Sequence, residues 1–284
     1  MTELHERASV WRCGAKVFEI DRLHPLIMGI LNVTPDSFSD GGTHNGLEDA
    51  VAWAHRMRDE GAHIIDVGGE STRPGFNETG VTLEEERRRV IPVVERLVKE
   101  GFIVSVDTSK PEIMTEVASL GAHILNDIRG FEMPGALEAA AATDCGLVVM
   151  HRSATTDYKD VVAEVEAYLQ KRQRLLEGLG VSADRICWDP GFGFGKTVEQ
   201  NFALLGSTER FVASGQPYLM GLSRKSSIGA ATGHKASMDR IAGSIAGALI
   251  AVEQGAQVVR VHDCRQTVDA VAVWRASEEA CGRR

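Results

Sequence analysis

Residues 102–127 read FIVSVDTSKPEIMTEVASLGAHILND and carry the pattern that decides the fold. An apolar, β-rich run begins at Phe102 and another at His123, and the segment between them has helical periodicity. Two short apolar strands separated by a helix pair in parallel through a right-handed crossover. The stretch therefore predicts one strand–helix–strand unit of an α/β fold.

The same alternation continues along the chain in both directions. The strand-like runs are LIMGILN from Leu26, HIIDVGG from His63, FIVSVDT from Phe102, HILNDI from His123, LVVMH from Leu147, ICWDPG from Ile186, YLMGLS from Tyr218 and VVRVHD from Val258. Eight strands alternating with helices in roughly 250 residues predict a single (β/α)8 TIM barrel over residues 26–284, and a doubly wound open sheet is the structural alternative. Residues 1–25 include WRCGAKVFEI, which predicts a short N-terminal β-hairpin around Gly14 that plugs the N-terminal end of the barrel.

Composition narrows the class of protein. The 284 residues are 43% hydrophobic and 25% charged, which is typical of a soluble globular chain. The net charge of −9 argues against a general nucleic-acid surface, although a local basic cluster can still bind a small anion. The five scattered cysteines form no CxxC pair, the first residues are too charged for a signal peptide, and no apolar run has membrane-spanning length. We therefore expect a cytoplasmic protein with no nucleic-acid or membrane partner.

Polar side chains follow the apolar part of nearly every predicted strand. Alternation along the strands places them on the inward face: Asn32, Asp66, Ser105, Asp107, Asn126, Asp189, Ser223, Lys225, Arg260 and His262. Any single Asp or Asn is explained by turn formation. Because the carboxyl ends of barrel strands meet at one mouth, where barrel enzymes carry their catalytic groups, the whole set predicts an active site.

The acceptors in this set indicate one class of ligand. Asp107, Asn126 and Asp189 offer carboxylate oxygens and an amide, which suit a flat heterocycle with several N–H donors and a lactam edge. Met150, at the end of the fifth strand, either forms an apolar wall beside that ligand or is a core residue.

The cations indicate a second ligand group. Lys225, Arg260 and His262, with Arg73 in the loop after the second strand, suit phosphate or pyrophosphate because charge-assisted hydrogen bonds are strong. Asn32 is a candidate ligand of a Mg²⁺ held mainly by pyrophosphate oxygens, since Mg²⁺ keeps several waters and few protein ligands.

The glycine-rich stretch DPGFGFGKT at 189–197 does not match either common nucleotide loop. Pro190 stands where the Walker pattern needs its first glycine, and the spacing from Gly191 is G-x-G-x-G rather than G-x-G-x-x-G. We expect its glycines to turn the backbone tightly beside the pocket, and Lys196 and Thr197 simply to open the next helix.

Seven motifs, in order, resemble the bacterial dihydropteroate synthase family: MGILNVTPDSFSDGG, IIDVGGESTRPG, SVDTSKP, LNDIRG, DPGFGFGK, SRKSSIG and RVHD. The resemblance runs from about Leu26 to the last helix. It implies a barrel transferase of folate synthesis that joins 6-hydroxymethyl-7,8-dihydropterin pyrophosphate to p-aminobenzoate and releases pyrophosphate, with Mg²⁺ as cofactor. It further implies a homodimer packed through the last helices and competition by sulfonamides. One departure is the loop RSATTDYKD after His151, which is shorter than in many relatives.

The resemblance also implies a role for each matching residue. The pterin would be held by Asp107, Asn126, Met150, Asp189 and Lys225. The pyrophosphate would be held by Asn32, Thr72, Arg73, Arg260 and His262, with Asn32 also on Mg²⁺. The p-aminobenzoate side would be framed by Phe38, Thr72, Pro74, Phe194, Lys225 and Ser226. Catalysis would rest on Lys225, Asp107, Arg73 and Asp36. For a largely dissociative displacement, our own hypothesis is that Asp36 is an electrostatic partner of the pterin cation.

Three other classes of protein share parts of this pattern. A methyltetrahydrofolate-dependent methyltransferase barrel would share the pterin-binding Asp and Asn but would not need STRP, SRK or an inward R-x-H. A metal-dependent hydrolase barrel would end its first strand in H-x-H, whereas this one ends in LNVT. The third is a pterin-binding module without activity, against which Lys225, Arg260 and Asn32 argue.

Overall fold

The main sheet is a closed barrel of eight parallel strands. A computed structural model describes residues 10–34, 43–70 and 80–282. Its barrel strands are β3 (Leu26–Asn32), β4 (Ile64–Gly68), β5 (Val104–Asp107), β6 (Ile124–Asp127), β7 (Gly146–Met150), β8 (Ile186–Asp189), β9 (Leu219–Met220) and β10 (Val258–Val261). They are ordered β8-β7-β6-β5-β4-β3-β10-β9, and a parallel bridge between Trp188 and Tyr218 joins β8 to β9. The predicted (β/α)8 barrel is therefore confirmed.

Helices follow the strands and form the outer layer. They are α1 (Thr43–Asp59), α2 (Leu83–Lys99), α3 (Pro111–Ser119), α4 (Ala136–Ala141), α5 (Val161–Gly178), α6 (Val198–Gly206), α7 (Thr208–Val212), α8 (Ser226–Thr232), α9 (Ile241–Glu253) and α10 (Cys264–Ala280). Their apolar faces and the outward strand residues form one core between helices and sheet. In the part of the chain that the structure describes, every helix is too short or too polar to cross a bilayer.

The predicted hairpin is present and closes one end of the barrel. Its strands are β1 (Val10–Cys13) and β2 (Lys16–Glu19), paired antiparallel. Trp11 is completely buried, and its indole Nε1 donates to the carbonyl of Arg185, 3.1 Å away, just before β8. The amide of Gly14 donates to the carbonyl of Asp144, just before β7. Because both contacts precede strands, the hairpin lies at the N-terminal end of the barrel, as predicted.

Inward-facing apolar residues fill the lower part of the barrel. They form a second core cluster with Trp11, and its strand members are Leu26, Met28, Ile64, Ile124, Val148, Cys187, Leu219 and Val258. The strand register then places Asp107 opposite both Gly68 and Asn126, one layer above the apolar residues. The alternation predicted from the sequence therefore separates an apolar floor from a polar mouth.

Candidate active site

The structure describes ten of the predicted site residues. They are Asn32, Asp107, Asn126, Met150, Asp189, Phe194, Lys225, Ser226, Arg260 and His262. The other five predicted residues, Asp36, Phe38, Thr72, Arg73 and Pro74, lie outside the described residues. The site is accordingly built from the strand ends and from the loops that follow β8, β9 and β10.

Arg260 on β10 is held between two carboxylates. Its Nε donates to Asp66 Oδ2 at 2.6 Å, and its Nη2 donates to Asp107 Oδ2 at 3.0 Å. Asn126 Nδ2 also donates to Asp66 Oδ2, at 3.2 Å. Side chains from β4, β5, β6 and β10 thus form one hydrogen-bonded network across the mouth. Arg260 has the partner that an inward arginine needs.

Asp66 is the residue of this network for which sequence reasoning predicted no ligand role. It is completely buried on β4, and its Oδ1 has no hydrogen-bond partner within the described ranges. The signal that could have identified it was its inward position in the second strand, one alternation before the strand end. Its link to Arg260 spans 194 positions, so sequence spacing does not reveal the pair.

The network contains two carboxylates for one guanidinium. Burial raises the pKa of Asp107, Arg260 opposes that rise, and the negative charge of Asp66 adds to it. Burial would lower the pKa of Arg260, but Asp66 and Asp107 together raise it above its ordinary value. The guanidinium therefore stays charged, whereas the raised pKa of Asp107 makes this carboxyl easier to protonate than an exposed one. The mouth therefore offers carboxylate acceptors to a ligand, and beside them the guanidinium of Arg260, whose charge is balanced by Asp66 and Asp107.

Asp189 on β8 and Lys225 after β9 form the part of the mouth next to Arg260. Asp189 is buried at the end of β8, and its Oδ1 accepts from the amide of Gly191 at 2.7 Å. Burial raises the pKa of Asp189, and the charge of Lys225 partly offsets this. Lys225 Nζ donates to the carbonyl of Phe192 and lies 4.4 Å from the ring centroid of Phe194. Burial lowers the pKa of Lys225 to about 8, although the negative charge of Asp189 acts to raise it.

Two glycines of the 189–197 stretch are required by close contacts. Gly191 has φ +68°, and a Cβ there would lie 1.8 Å from the carbonyl oxygen of His151. Gly193 has φ +85°, and a Cβ there would lie 2.8 Å from Cδ of Lys225. The predicted tight turn is confirmed, and the second glycine leaves room for the lysine side chain.

The prediction for Lys196 was incomplete, whereas that for Thr197 is confirmed. Thr197 caps α6, and its side chain and that of Gln200 form a capping box. Lys196 Nζ instead donates to the carbonyls of Gly191 and Phe194, each at 2.9 Å, and lies 3.0 Å from Nδ1 of His151. Burial lowers its pKa to about 7. Lys196 therefore ties the loop after β8 to the short loop after β7, a contact that no local pattern predicts.

The remaining predicted residues lie around this centre. His262 follows β10, and its Nδ1 and backbone amide lie 3.0 and 3.2 Å from Ser223 Oγ. Met150 is buried at the end of β7, and Ser226 is exposed at the start of α8. Arg224, next to Lys225, pairs with Asp263, next to His262, at 2.5 and 3.0 Å.

Asn32 offers a single protein oxygen to a metal ion. Within residues 10–34, 43–70 and 80–282 there is no group of three or more His, Cys, Asp or Glu side chains that could hold a metal ion. Asn32 contributes one neutral amide oxygen at the end of β3, half-buried and beside Gly68. One such oxygen fits Mg²⁺ only when pyrophosphate and water supply the other ligands.

Comparison with known proteins agrees with this fold. A family model described as pterin binding enzyme matches residues 28–262, which places the chain in that class. Dihydropteroate synthase of Escherichia coli (strain K12) is 49% identical over 269 residues, covering 92% of this chain and 94% of the relative. The chain belongs to the dihydropteroate synthase family, as its motifs predicted.

Two solved structures support the same assignment. Xanthomonas albilineans dihydropteroate synthase with 4-aminobenzoic acid has 47% identity and a TM-score of 0.90, covering 95% of this chain and 98% of that one. Yersinia pestis dihydropteroate synthase with a sulfonamide drug has 42% identity and a TM-score of 0.88, covering 95% and 99%. The methyltransferase and hydrolase alternatives are accordingly set aside.

Proposed function

We propose that this chain condenses 6-hydroxymethyl-7,8-dihydropterin pyrophosphate with p-aminobenzoate to give 7,8-dihydropteroate and pyrophosphate. The observation that carries the proposal is the Arg260 network at the barrel mouth, with Asp189 and Lys225 beside it. This arrangement has acceptors for a nitrogen heterocycle and cations for an anionic leaving group in one cavity mouth. The 49% identity to the E. coli enzyme covers the strands that supply it.

The pterin ring would lie among the buried acceptors. Asp107, Asn126 and Asp189 are suited to accept from its N–H groups, and the ammonium of Lys225 is suited to donate to its ring oxygen or nitrogen. Met150 is buried at the end of β7, where it would offer an apolar surface to the ring. Preorganised acceptors also stabilise positive charge that develops on the pterin as the C–O bond breaks.

The pyrophosphate would leave on the cationic side of the mouth. Arg260 uses Nε and Nη2 on carboxylates, and its Nη1 makes no hydrogen bond to the described part of the chain. That nitrogen and His262 are our candidates for the leaving group, with Thr72 and Arg73 from the second loop. When bound, Mg²⁺ would neutralise charge on the pyrophosphate, with Asn32 as its protein ligand.

The p-aminobenzoate would approach from the side of Phe194 and Ser226. The bond between the pterin methylene carbon and the pyrophosphate oxygen breaks for the most part first, and the amine nitrogen then bonds to that carbon and loses a proton to solvent. No side-chain nucleophile is needed. Lys225 would lie between the two substrates. Phe38 and Pro74 would frame the p-aminobenzoate, and Asp36 would stabilise the pterin cation electrostatically. A sulfonamide, which a Yersinia pestis relative binds, should compete with p-aminobenzoate.

One assay tests both the activity and the site. Purified protein is incubated with the pterin pyrophosphate, p-aminobenzoate and Mg²⁺, and pyrophosphate release is followed. Folded protein without turnover would exclude the enzyme proposal. Lys225→Ala should abolish most of the activity, whereas Lys99→Ala, at an exposed lysine on α2, should leave it unchanged. Full activity of Lys225→Ala would refute the site assignment alone.

The assembly we propose is a homodimer that uses the last helices. Ile250 on α9 and Val273 on α10 are large apolar side chains that are 43% and 73% exposed. A second copy of the chain is the expected occupant, and light scattering against the monomer mass of 30.8 kDa tests it. The five free cysteines, four of them buried, suit the reducing cytoplasm in which we propose the enzyme acts.

A further inference from the structure

Asp66 is a buried carboxylate of the mouth that contacts two proposed ligand-binding residues through a single oxygen. Its Oδ2 accepts from Arg260 Nε at 2.6 Å and from Asn126 Nδ2 at 3.2 Å. Its Oδ1 is buried and has no partner in the described ranges. Such an arrangement costs desolvation free energy that folding alone does not require, since an apolar residue would fill the same space. The cost therefore needs another explanation.

The contact with Asn126 determines which amide atom faces the ligand. An asparagine amide has a donor end and an acceptor end. Since Nδ2 donates to Asp66, Oδ1 is left as an acceptor, and it receives no hydrogen bond from the described part of the chain. Turning the amide over would place its oxygen against the carboxylate oxygen of Asp66, which is repulsive in a buried site.

The contact with Arg260 determines where the guanidinium lies. Asp66 holds Nε and Asp107 holds Nη2, so two anchors on neighbouring strands fix the plane of the group. Without Asp66 the guanidinium would retain Asp107 alone. Asp107 would then take the full charge interaction and would be less available to a ligand.

We propose that Asp66 is a positioning residue that sets pterin selectivity by fixing the acceptor end of Asn126 toward the ligand and by sharing Arg260 with Asp107. This proposal rests on the proposed function, because it concerns the ligand of the same site. Asp66 itself need not touch the substrate. The ligand selected is a heterocycle with N–H donors at the edge that Asn126 meets.

The experiment compares two ligands and three variants by calorimetry. The probes are 6-hydroxymethylpterin and 6-hydroxymethyllumazine, in which a carbonyl oxygen replaces the 2-amino donor. Asp66→Ala should weaken pterin binding about tenfold or more and reduce the preference for pterin over lumazine by a similar factor. Asp66→Asn keeps an acceptor, so it should recover part of the affinity. Asp59→Ala, at a carboxylate that is 74% exposed at the end of α1, is the matched control and should bind like wild type.

A double-mutant cycle separates positioning from a general structural effect. If Asp66 acts through Asn126, the losses of pterin affinity in Asp66→Ala and Asn126→Ala are not additive. The KM for p-aminobenzoate should stay within about twofold of wild type in Asp66→Asn. Unchanged pterin affinity and selectivity in folded Asp66→Ala, or strictly additive losses, would overturn the inference. Wild-type protein that binds neither probe would instead refute the proposed function.

Discussion

At the scale of the single residue, burial of Lys225 costs solvation of its ammonium and lowers its pKa. Its ammonium is withdrawn from water, held by the carbonyl of Phe192 and placed over the ring of Phe194. Burial disfavours the charged form, which lowers the pKa to about 8, although the charge of Asp189 limits the shift. A lysine with such a pKa loses its proton within the range in which the enzyme can be assayed.

The first prediction concerns the pH dependence of the reaction. Below about pH 8 Lys225 is an ammonium that attracts the anionic substrate, and above it the neutral amine does not. We therefore expect kcat/KM for the pterin pyrophosphate to fall as the pH rises through about 8. Initial rates from pH 6 to 10 measure this, with Lys99→Ala as the control that keeps the same profile. A profile that stays level to pH 10 would contradict the prediction.

The second prediction concerns the glycines around Lys225. A methyl group at Gly193 would collide with the lysine side chain, so Gly193→Ala should lower kcat/KM by about tenfold to a hundredfold through displacement of Lys225. A methyl group at Gly191 meets a backbone carbonyl instead, and Gly191→Ala should mainly lower the melting temperature.

Gly178→Ala is the control for both glycine variants. It lies in α5 with no atom within 4 Å of an added Cβ, and it should raise stability by about 0.5–1 kcal/mol without changing activity. Kinetics and thermal melts of the three variants give the comparison. Normal kinetics in folded Gly193→Ala would show that the glycine is not needed for the lysine.

At the scale of the element, one ion pair joins the loops that follow β9 and β10. Arg224 has φ +58°, which is unfavourable for a residue other than glycine, and it holds Asp263 through two nitrogens. Asp263 occupies the N-cap position of α10, but its carboxylate binds Arg224 rather than the helix amides. Lys225 directly follows Arg224, and His262 directly precedes Asp263. The pair therefore fixes two proposed ligand-binding residues relative to one another.

The third prediction follows from this link. Arg224→Ala removes the partner of a nearly buried carboxylate, so the free energy of unfolding should fall by about 1–3 kcal/mol. The loss of kcat/KM should be larger than this instability explains, between about ten- and a hundredfold, because the loop that carries Lys225 is no longer tied to the loop after β10. Arg88→Ala is the matched control, since Arg88 makes a two-nitrogen pair with Glu85 on an exposed face of α2. Equal activity in the two folded variants would show that the ion pair is only structural.

Elements also explain which features of the site follow from the sequence and which do not. A strand has a period of two, so the apolar run in β10 is enough to predict that Arg260 points inward. The same rule places Asp66 inward. Hydrogen-bond partners do not follow from the rule, because they are distant in sequence. Asp66 accepts from Asn126 across 60 positions, and Lys196 contacts His151 across 45 positions. Five predicted residues in the first two loops remain predictions, since they lie outside the described residues.

At the scale of the whole molecule, the two ends of the barrel have separate tasks. The strand carboxyl ends carry the charged network, whereas the opposite end is closed by the hairpin of β1 and β2. A parallel barrel has an apolar interior that must be covered at the end without a ligand. Trp11 supplies that cover, and the apolar layer of Met28, Ile64 and Val148 separates it from the mouth. Stability and catalysis should therefore be separable by mutation.

The fourth prediction tests that separation. Trp11→Ala leaves a cavity under the barrel and removes the hydrogen bond to the carbonyl of Arg185, so the free energy of unfolding should fall by about 3–5 kcal/mol. Because the mouth lies beyond the apolar layer, KM for both substrates should stay within about twofold of wild type at a temperature where the variant is folded. Val17→Ala, at a 40% exposed residue of the same hairpin, should change neither quantity appreciably. Urea unfolding and steady-state kinetics measure the two effects on each variant. A large rise in KM for Trp11→Ala at full folding would mean that the plug also shapes the mouth, and that the two ends of the barrel are coupled.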